Sequence, residues 1–477
     1  MASNVVADQE DAYMEDSFTG EIPVKGSAQV RRVTNNVVID EDHPFDLEAY
    51  ISNYDHDRAS IKRLFFIANA CPQLAPLALS RAVEYALEGK DSTLYQNVVS
   101  TYNNIVGPQH GVQLNQEWLD RTAQRSHAER DKLEVELKMY TGNMIKESIR
   151  MGHNELGHFY RAHGDHATAL RHYTKSREFC TSSAHVVDMC LNILELLLEE
   201  QNYPHVSTYV FKAEAALEAS GSASDKKKGT SNPEREKVEA KLNLAMALSL
   251  LGQSNYDAAA WAFMKIGKNL DGWEHKVASP SDIAIFGTLC ALATFERRQL
   301  KTVLLESETF SYYLEQESYV RDLIEAYLAS KFRNVLAILE RQSARHSLDN
   351  QLGPHIKNLT RLIKNRALVL YFGPFASIRL ESLAAAFGLS TEETEKNVVA
   401  LIQDGSIKGR VDSHNKILKA KDLDHRTELF IRATKTGQEI ASLNRKLLYR
   451  LRLQEADIIV KPPKNAHLEA MAYGPPM

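Results

Sequence analysis

The feature that most constrains the fold of this chain is a spacing of small and aromatic residues on either side of a glycine turn. Its members are Leu156, Gly157, Tyr160, Gly164, Asp165, Ala169 and Tyr173. A small residue at Gly157 or Ala169 lets two antiparallel helices approach closely. The rings of Tyr160 and Tyr173 are then expected to fill the space between this helix pair and its neighbour. The spacing therefore predicts a helical hairpin with its turn at Gly164.

The same segment fits the tetratricopeptide pattern, with His153 at the position of the tryptophan that opens it. Weaker copies follow at irregular spacing: Asn202-Tyr203 with Phe211, Asn255-Tyr256 with Ala260 and Met264, and Ala326-Tyr327 with Phe332, Leu336 and Leu339. A polar inserted loop at 220–235 causes part of this irregularity. We therefore predict a right-handed stack of helical hairpins over residues 45–350. Residues 120–150 are expected to form one long, charged, solvent-facing helix.

After Pro354 the pattern changes. We predict a helix that ends near Tyr371, a short apolar helix at 383–387, and a third helix at 392–403 that a capping box begins. Residues 407–411 and 416–419 alternate like two strands joined by a turn. Three helices followed by a β-hairpin predict a winged helix. A last helix is expected over about 427–453.

The predicted fold class is all-α with a small β-hairpin: a helical-repeat solenoid, a winged helix and a C-terminal helix. Its parts are a disordered acidic tail at 1–42, the repeat domain at 43–350, the winged-helix part at 351–425, the C-terminal helix at 426–455, and a flexible tail at 456–477. The first tail is assigned as disordered because it is polar, acidic and poor in large apolar residues.

Charge and cysteine content narrow the classes of function and the cellular compartment. The chain of 477 residues has 57 Lys and Arg against 62 Asp and Glu, a net charge of −5, so broad binding to nucleic acid or anionic membranes is not expected. The four cysteines form no Cys-x-x-Cys pair, which favours a reducing intracellular compartment over a disulfide framework. The N-terminus lacks the apolar core of a signal peptide, and no apolar run is long enough to cross a bilayer.

Catalytic motifs are absent from the sequence. It contains no phosphate-binding G-x-x-x-x-G-K-[ST], no G-x-S-x-G, no H-E-x-x-H and no H-x-H among its 17 histidines. We therefore predict no catalytic, cofactor-binding or metal-binding residue. Five histidines do cluster: His153, His158, His163, His166 and His172. A metal or pH-sensing site is one interpretation, and solvent-facing positions on the first repeat are the favoured one.

A winged helix also suggests DNA binding through the N-terminal end of its recognition helix. That end carries Glu392, Glu393 and Glu395 against Lys396 alone, which would repel phosphates. We therefore prefer contacts with proteins. The strands of the wing can add to another chain's sheet edge. The apolar stripe of the last helix indicates helix packing rather than membrane binding, since no Trp or Phe anchors it.

This order of domains resembles the PCI family, whose members include scaffold subunits of the proteasome lid, the COP9 signalosome and a translation initiation factor. Segments 45–50, 140–153, 289–295 and 410–418 resemble, more specifically, the subunit 1 family of the signalosome. The paralogous lid subunit is the nearest alternative. The wing and the Lys461-Pro462-Pro463 tail favour the signalosome.

The resemblance implies a non-catalytic scaffold without cofactors. The resemblance further implies that this scaffold is part of a complex that removes a ubiquitin-like modifier from cullins and so regulates cullin–RING ubiquitin ligases. The metalloprotease chemistry is expected in another subunit, and a location in nucleus and cytoplasm is implied. Other PCI subunits would bind the wing and the last helix. Cullin–RING ligases would be contacted indirectly or through the N-terminal repeats. A lid scaffold and a nucleic-acid-binding regulator remain alternatives.

Carried over residue by residue, the resemblance implies two sets of interface candidates. The wing set is Ile407, Arg410, Val411, Ser413, Ile417 and Leu418. The helix set is Ile440, Leu443, Leu447 and Leu451.

Overall fold

The protein is described from a computed structural model. The described residues are Val37, 45–106, 111–224, 233–270, 272–421, 425–456 and Ile458, with no side chains described at 220–224 and at 425. The predicted disordered tail at 1–42, apart from Val37, and nearly all of the predicted flexible tail lie outside these residues. Of the predicted polar loop, only its ends are described, and they belong to helices.

Five helices come first: α1 Leu47–Ile51, α2 Arg58–Ala70, α3 Ala75–Glu88, α4 Ser92–Val106 and α5 Gln116–Gly142. Helices α2, α3 and α4 pack in succession around a shared core that includes Leu64, Leu79 and Tyr95. The expectation of one helix over 120–150 is wrong at its end. Helix α5 stops at Gly142, and Met144 adopts a left-handed conformation (φ 51°) before the next helix begins.

Three helical hairpins follow: α6 Lys146–Ala162 with α7 His166–Ser176, α8 Ser183–Glu199 with α9 Tyr203–Ser224, and α10 Pro233–Gly252 with α11 Tyr256–Met264. A 3₁₀ turn, Arg177–Phe179, ends the first. The next elements are α12 Pro280–Thr294, α13 Arg297–Gln299, the π-helical Leu300–Leu305, α14 Glu308–Leu314, the hairpin of α15 Ser318–Leu328 and α16 Phe332–Arg341, then α17 Ser343–Leu348 and α18 Gly353–Phe372. The predicted helical-repeat fold class is confirmed, whereas the right-handed sense of the stack stays a prediction.

The four hairpins share one turn geometry. Each first helix is followed by a residue in the left-handed conformation: Gly164 (φ 84°), Gln201 (φ 55°), Ser254 (φ 63°) and Ser330 (φ 59°). The next residue donates its backbone N–H to a carbonyl five positions earlier, at 2.9 Å in all four turns: Asp165 to Tyr160, Asn202 to Leu197, Asn255 to Leu250, and Lys331 to Ala326. This is the Schellman ending of a helix. The turns are therefore structurally equivalent although only one contains glycine.

The close approach predicted at Gly157 is present. A Cβ atom added there would lie 2.5 Å from Cε1 of Tyr173, whose side chain is fully buried. The ring of Tyr173 thus occupies the space that glycine leaves between α6 and α7. Tyr160, predicted to be equally buried, is only half-buried, and its neighbour Phe159 takes the core position instead.

The winged-helix part consists of β1 Ser377–Arg379, α19 Leu380–Phe387, α20 Thr391–Gln403, β2 Gly409–Asp412 and β3 Ile417–Ala420, and α21 His425–Glu455 follows it. The chain divides into two compact units. The first runs to Pro374 and also includes Ser382–Asn397. The second consists of Phe375–Glu381 and the chain from Val398 onwards.

A buried guanidinium connects distant parts of the first unit. Arg63 on α2 donates to the backbone carbonyl of Val277 (2.9 Å) and to Oδ2 of Asp349 (3.4 Å). The hydroxyl of Tyr50 donates to the same Oδ2 at 2.8 Å, and the hydroxyl of Tyr54 donates to Asp282. Burial, followed by the charge of Asp349, raises the pKa of Asp282. We call these side chains, centred on Arg63, the Arg63 network.

Removal of the central charge tests the Arg63 network. We expect Arg63→Met to lower the free energy of unfolding by about 3–5 kcal/mol, because Asp349 and Asp282 would stay buried without their cation. Chemical denaturation of the full chain measures this change. As a control, Arg321→Met alters only an exposed ion pair with Glu325 and should change stability by less than about 1 kcal/mol. Equal effects of the two variants would contradict the assigned role.

The first hairpin allows a matched pair of truncations. Tyr173→Ala should cost about 3–5 kcal/mol, because it empties the fully buried space beside Gly157. Tyr160→Ala should cost clearly less, because Tyr160 is half-buried. Thermal or urea unfolding of both variants gives the comparison, and a larger loss at Tyr160 would contradict the observed packing.

Candidate partner interface

The wing is a three-stranded antiparallel sheet with the strand order β1-β3-β2. Strand β3 pairs with β2 from Ile417 opposite Asp412 to Ala420 opposite Gly409. It also pairs with β1, where Leu418 lies opposite Ile378. The two predicted strands are present, and their bounds differ slightly from the expected 407–411 and 416–419. The strand β1 was not predicted from the sequence.

The third strand decides where a partner chain can add to this sheet. Both edges of β3 are occupied, so its backbone is unavailable for further pairing. The outer edges of the described sheet belong to β1 and β2. An added strand would therefore pair with one of these two, and β2 carries Arg410 and Val411 from the wing set.

The side chains of the wing set fall into two groups. Ile407 and Leu418 are buried (4% and 0% exposed), and they pack next to Gly409, where an added Cβ would lie 3.2 Å from Leu418 and 3.4 Å from Ile407. These two form the core of the wing. Val411 and Ile417 are half-buried, whereas Arg410 and Ser413 are exposed. Side-chain contacts to a partner are thus available mainly from the exposed pair.

The turn between β2 and β3 is held by Asp412. Its Oδ1 accepts the backbone N–H groups of His414 and Asn415 (both 3.2 Å), and its Oδ2 accepts the side-chain amide of Asn415 at 2.9 Å. Hydrogen bonds from Asn415 lower the pKa of the Asp412 carboxyl below its ordinary value. The charged turn therefore keeps its shape over the neutral pH range and presents Ser413 to solvent.

Helix α21 carries more exposed large apolar residues than any other described helix. It has 31 residues, and of its described side chains only Leu453 is half-buried while the others are exposed. The helix set lies at spacings of three and four: Ile440 (53% exposed), Leu443 (57%), Leu447 (57%) and Leu451 (57%). Such spacing aligns side chains along one face of a helix. An exposed stripe of this size marks a surface for another protein element.

Sequence reasoning missed further exposed apolar residues on the same helix: Leu429, Phe430, Ile431, Leu448 and Tyr449. The run 429–431 ends about two and a half turns before the stripe and was visible in the sequence as three consecutive large apolar residues in a charged segment. Phe430 lies on the same helix but outside the stripe, which itself contains no Trp or Phe. Among the helices that the structure describes, none has the length and apolar content needed to cross a membrane.

The histidine cluster is not solvent-facing as a whole, which corrects the favoured interpretation. Nδ1 of His153 lies 3.1 Å from Nδ1 of His172, between α6 and α7. Burial, followed by the charge of His172, lowers the pKa of His153 to about 4. Nδ1 of His158 bonds the hydroxyl of Tyr173 at 2.9 Å, and Nδ1 of His163 bonds the carbonyl of Phe159 at 2.8 Å.

The metal interpretation finds no ligand set. Within the described part of the chain, no three His, Cys, Asp or Glu side chains converge closely enough to hold an ion. All four cysteines are free, and Cys71, Cys190 and Cys290 are buried. Burial raises the pKa of the Cys190 thiol to about 11, which makes it a poor nucleophile.

Two family models match the chain. One is described as 26S proteasome subunit RPN7 and matches residues 115–303, and the other is the PCI domain, which matches residues 336–422. The PCI match covers the wing, and the other covers the first three helical hairpins.

Curated relatives extend over most of the chain. COP9 signalosome complex subunit 1 of Arabidopsis thaliana is 36% identical over 415 residues, which cover 86% of this chain and 90% of the relative. Subunit 1b of Drosophila melanogaster is 33% identical over 472 residues, covering 89% and 88%. The 26S proteasome non-ATPase regulatory subunit 6 of Caenorhabditis elegans is 19% identical over 324 residues, covering 66% and 75%.

The histidine pair predicts a pH dependence of stability. An unfolded chain protonates His153 near pH 6.5, whereas the folded chain holds it neutral down to about pH 4. The unfolded state therefore binds more protons in this window, and the free energy of unfolding falls as the pH drops through it. After solvent screening is allowed for, we expect His153 to account for about 1–2 kcal/mol of that loss.

The measurement is chemical denaturation at pH 7 and pH 5 for the wild type and His153→Gln. The variant should lose less stability on acidification than the wild type. His205→Gln, at an exposed position on α9, serves as the control and should behave like the wild type. An unchanged acid dependence in His153→Gln would show that the pair is not protonation-sensitive.

Proposed function

Because the chain belongs to the COP9 signalosome complex subunit 1 family, we propose that it is a non-catalytic scaffold that joins other PCI subunits through α21 and the wing. The observation that carries this proposal is the exposure of α21. A helix with a 3–4 apolar stripe normally buries that stripe against another element. Here Ile440, Leu443 and Leu447 are each more than half exposed.

The occupant of this stripe is proposed to be a bundle of equivalent C-terminal helices from neighbouring subunits. A helix of matching apolar character satisfies the stripe without any change in α21, because side chains three and four positions apart interdigitate between packed helices. The basic residues Arg445, Lys446, Arg450 and Arg452 lie among the apolar positions. They favour partner helices that are acidic next to their apolar stripe.

The wing is proposed as the second contact. An incoming strand would pair with the outer edge of β2, where the half-buried Val411 and the exposed Arg410 can contact it. The sequence allowed either strand of the hairpin to pair with a partner. Strand β3 cannot, because β1 and β2 already pair with its two edges. Two contacts on one subunit strengthen each other, since the second forms at a high effective concentration once the first is made.

The proposed role in the complex follows from these two contacts with neighbouring subunits. The chain would support removal of the ubiquitin-like modifier from cullins, with metalloprotease chemistry in a separate subunit. Cullin–RING ligases would be contacted indirectly or through the N-terminal repeats, in nucleus and cytoplasm. The lack of a metal-ligand cluster among the described residues is compatible with chemistry elsewhere.

Two alternatives are weaker. The proteasome-lid relative is 19% identical, against 36% for the signalosome relative from Arabidopsis thaliana, which favours the signalosome. Against nucleic-acid recognition, the start of α20 presents Glu392 and Glu393 to solvent. Carboxylates at that position oppose binding to phosphates.

Charge substitutions on α21 test the proposal. Leu443→Asp with Leu447→Asp should weaken recovery of partner subunits by more than about tenfold, because two apolar anchors would be replaced by charges in a packed bundle. Gln438→Asp with Ser442→Asp places the same charge on the opposite face of the helix and is the matched control. The tagged full chain is isolated from native extract, and the partners are quantified by mass spectrometry.

The identity and the amounts of the recovered proteins separate the alternatives. A stoichiometric set of PCI subunits with an H-x-H metalloprotease supports the signalosome scaffold. Proteasome base and core subunits would assign the chain to the lid. Unchanged recovery in the Leu443/Leu447 variant would contradict the role of the stripe, and circular dichroism shows whether that variant is folded.

A further inference from the structure

A pocket within the first compact unit has no part in the proposed partner interface. It has a volume of about 410 Å³ and is lined by residues of α17, α18 and α20. This volume falls in the range of roughly 300–1,000 Å³ that small-molecule sites occupy. The wing and α21 contribute nothing to its lining. We call it the α18 pocket.

The lining of the α18 pocket is cationic. Lys357, Arg361 and Lys364 follow one another at intervals of four and three along α18, which places them on one face of that helix. No aspartate or glutamate is among the lining residues. In the part of the chain that the structure describes, Arg361 has no carboxylate within ion-pair distance. The lining residues therefore bring three basic side chains and no acidic one, and one of the three, Lys364, is paired with a carboxylate from outside the lining.

Neutral hydrogen-bond donors complete the lining from other helices. Ser343 and Ser347 of α17 and Asn397 of α20 line the pocket, and each of these side chains can donate a hydrogen bond. The Nδ2 atom of Asn397 is buried and has no acceptor among the described atoms. A buried donor without a partner costs about 1–3 kcal/mol. A small rotation of this amide toward the pocket would let an oxygen of an anionic ligand accept its hydrogen bond.

One carboxylate already lies beside this pocket. Oε1 of Glu393 accepts a hydrogen bond from Nζ of Lys364 at 2.5 Å. The side chain of Lys364 is 19% exposed, whereas that of Glu393 is 51% exposed and can turn into solvent. Glu393 thus shows that an anionic oxygen is accommodated beside the α18 pocket, and it would compete with any anionic ligand for Lys364.

We propose that the α18 pocket binds a phosphate group. Arg361 offers a planar fork of N–H donors that matches phosphate oxygens, the lysines add charge, and the serine hydroxyls and Asn397 bond the remaining oxygens. Such a group can come from a phosphorylated side chain of a partner segment or from a small phosphorylated molecule. This inference stands independently of the scaffold role, since it uses no residue of the wing or of α21.

The test measures binding of two probes to the full chain by titration calorimetry at low salt. One probe is inorganic pyrophosphate, and the other is a short acetylated glycine–serine peptide with one phosphoserine. Arg361→Ala should weaken binding by about tenfold or more, because a charge-assisted hydrogen bond is lost. Glu393→Gln should tighten binding severalfold, since it removes the competing charge. Arg341→Ala, an exposed arginine outside the pocket, should change nothing.

Each outcome of the titration either supports phosphate binding or overturns it. Binding of pyrophosphate alone assigns the source to a small phosphorylated molecule, and tight binding of the phosphopeptide assigns it to a modified protein segment. The proposal is overturned if neither probe binds the wild type, or if the unphosphorylated peptide binds equally well. It is also overturned if Arg361→Ala and Arg341→Ala have the same affinity. Glu393→Gln keeps its fold-defining backbone contact to Ser390, so a gain in affinity there cannot arise from unfolding.

Discussion

The buried carboxylate of Asp349 is the constraint on which the first unit depends. Its Oδ2 accepts from Tyr50 and lies 3.4 Å from Nη1 of Arg63, across 299 and 286 positions of sequence. Its Oδ1 accepts the N–H groups of Gln351 and Leu352, both at 2.8 Å, just before α18 begins. One side chain therefore fixes α2 against the middle of the chain and sets the start of α18. Loss of the Arg63 guanidinium would leave the buried carboxylate of Asp349 without a cation at both of these contacts.

The sequence predicts local structure well where a steric requirement is visible in residue type. Gly157 had to be small because Tyr173 lies against it, and both the hairpin and its turn at Gly164 follow from that. The equivalent turns at Gln201 and Ser254 have no such marker, so the repeats look weaker in sequence than they are in structure. The error at Tyr160 is a shift of one residue, which rotates a side chain by about 100° around the helix axis.

The candidate interface was predictable to a different extent in its two halves. The stripe of α21 follows from periodicity alone, because apolar residues recur at intervals of three and four in a charged helix. In the wing, alternation shows that two faces differ but not which face is covered, so buried Leu418 and exposed Arg410 were grouped together. The short strand β1 escaped prediction because three residues carry too little alternation to detect. Nothing local could reveal the Arg63 network, because Arg63 is separated from Val277 by 214 positions and from Asp349 by 286.

The Arg63 network and α21 belong to different compact units, so the buried side chains that stabilise the first unit are different from the apolar side chains exposed for association. The buried side chains of the repeats stabilise the first unit without α21, since every described side chain of that helix from 426 to 455 is exposed or half-buried. Helix α21 has 31 residues, well above the length of about 12–15 residues below which isolated helices are marginal in water. The apolar area of Leu443 and its neighbours therefore contributes little to folding and is available in full to association, at roughly 25 cal/mol per Å² removed from water. Burying this stripe therefore contributes to assembly and not to the stability of the free chain. Substitutions in it should weaken partner binding and leave the free energy of unfolding unchanged.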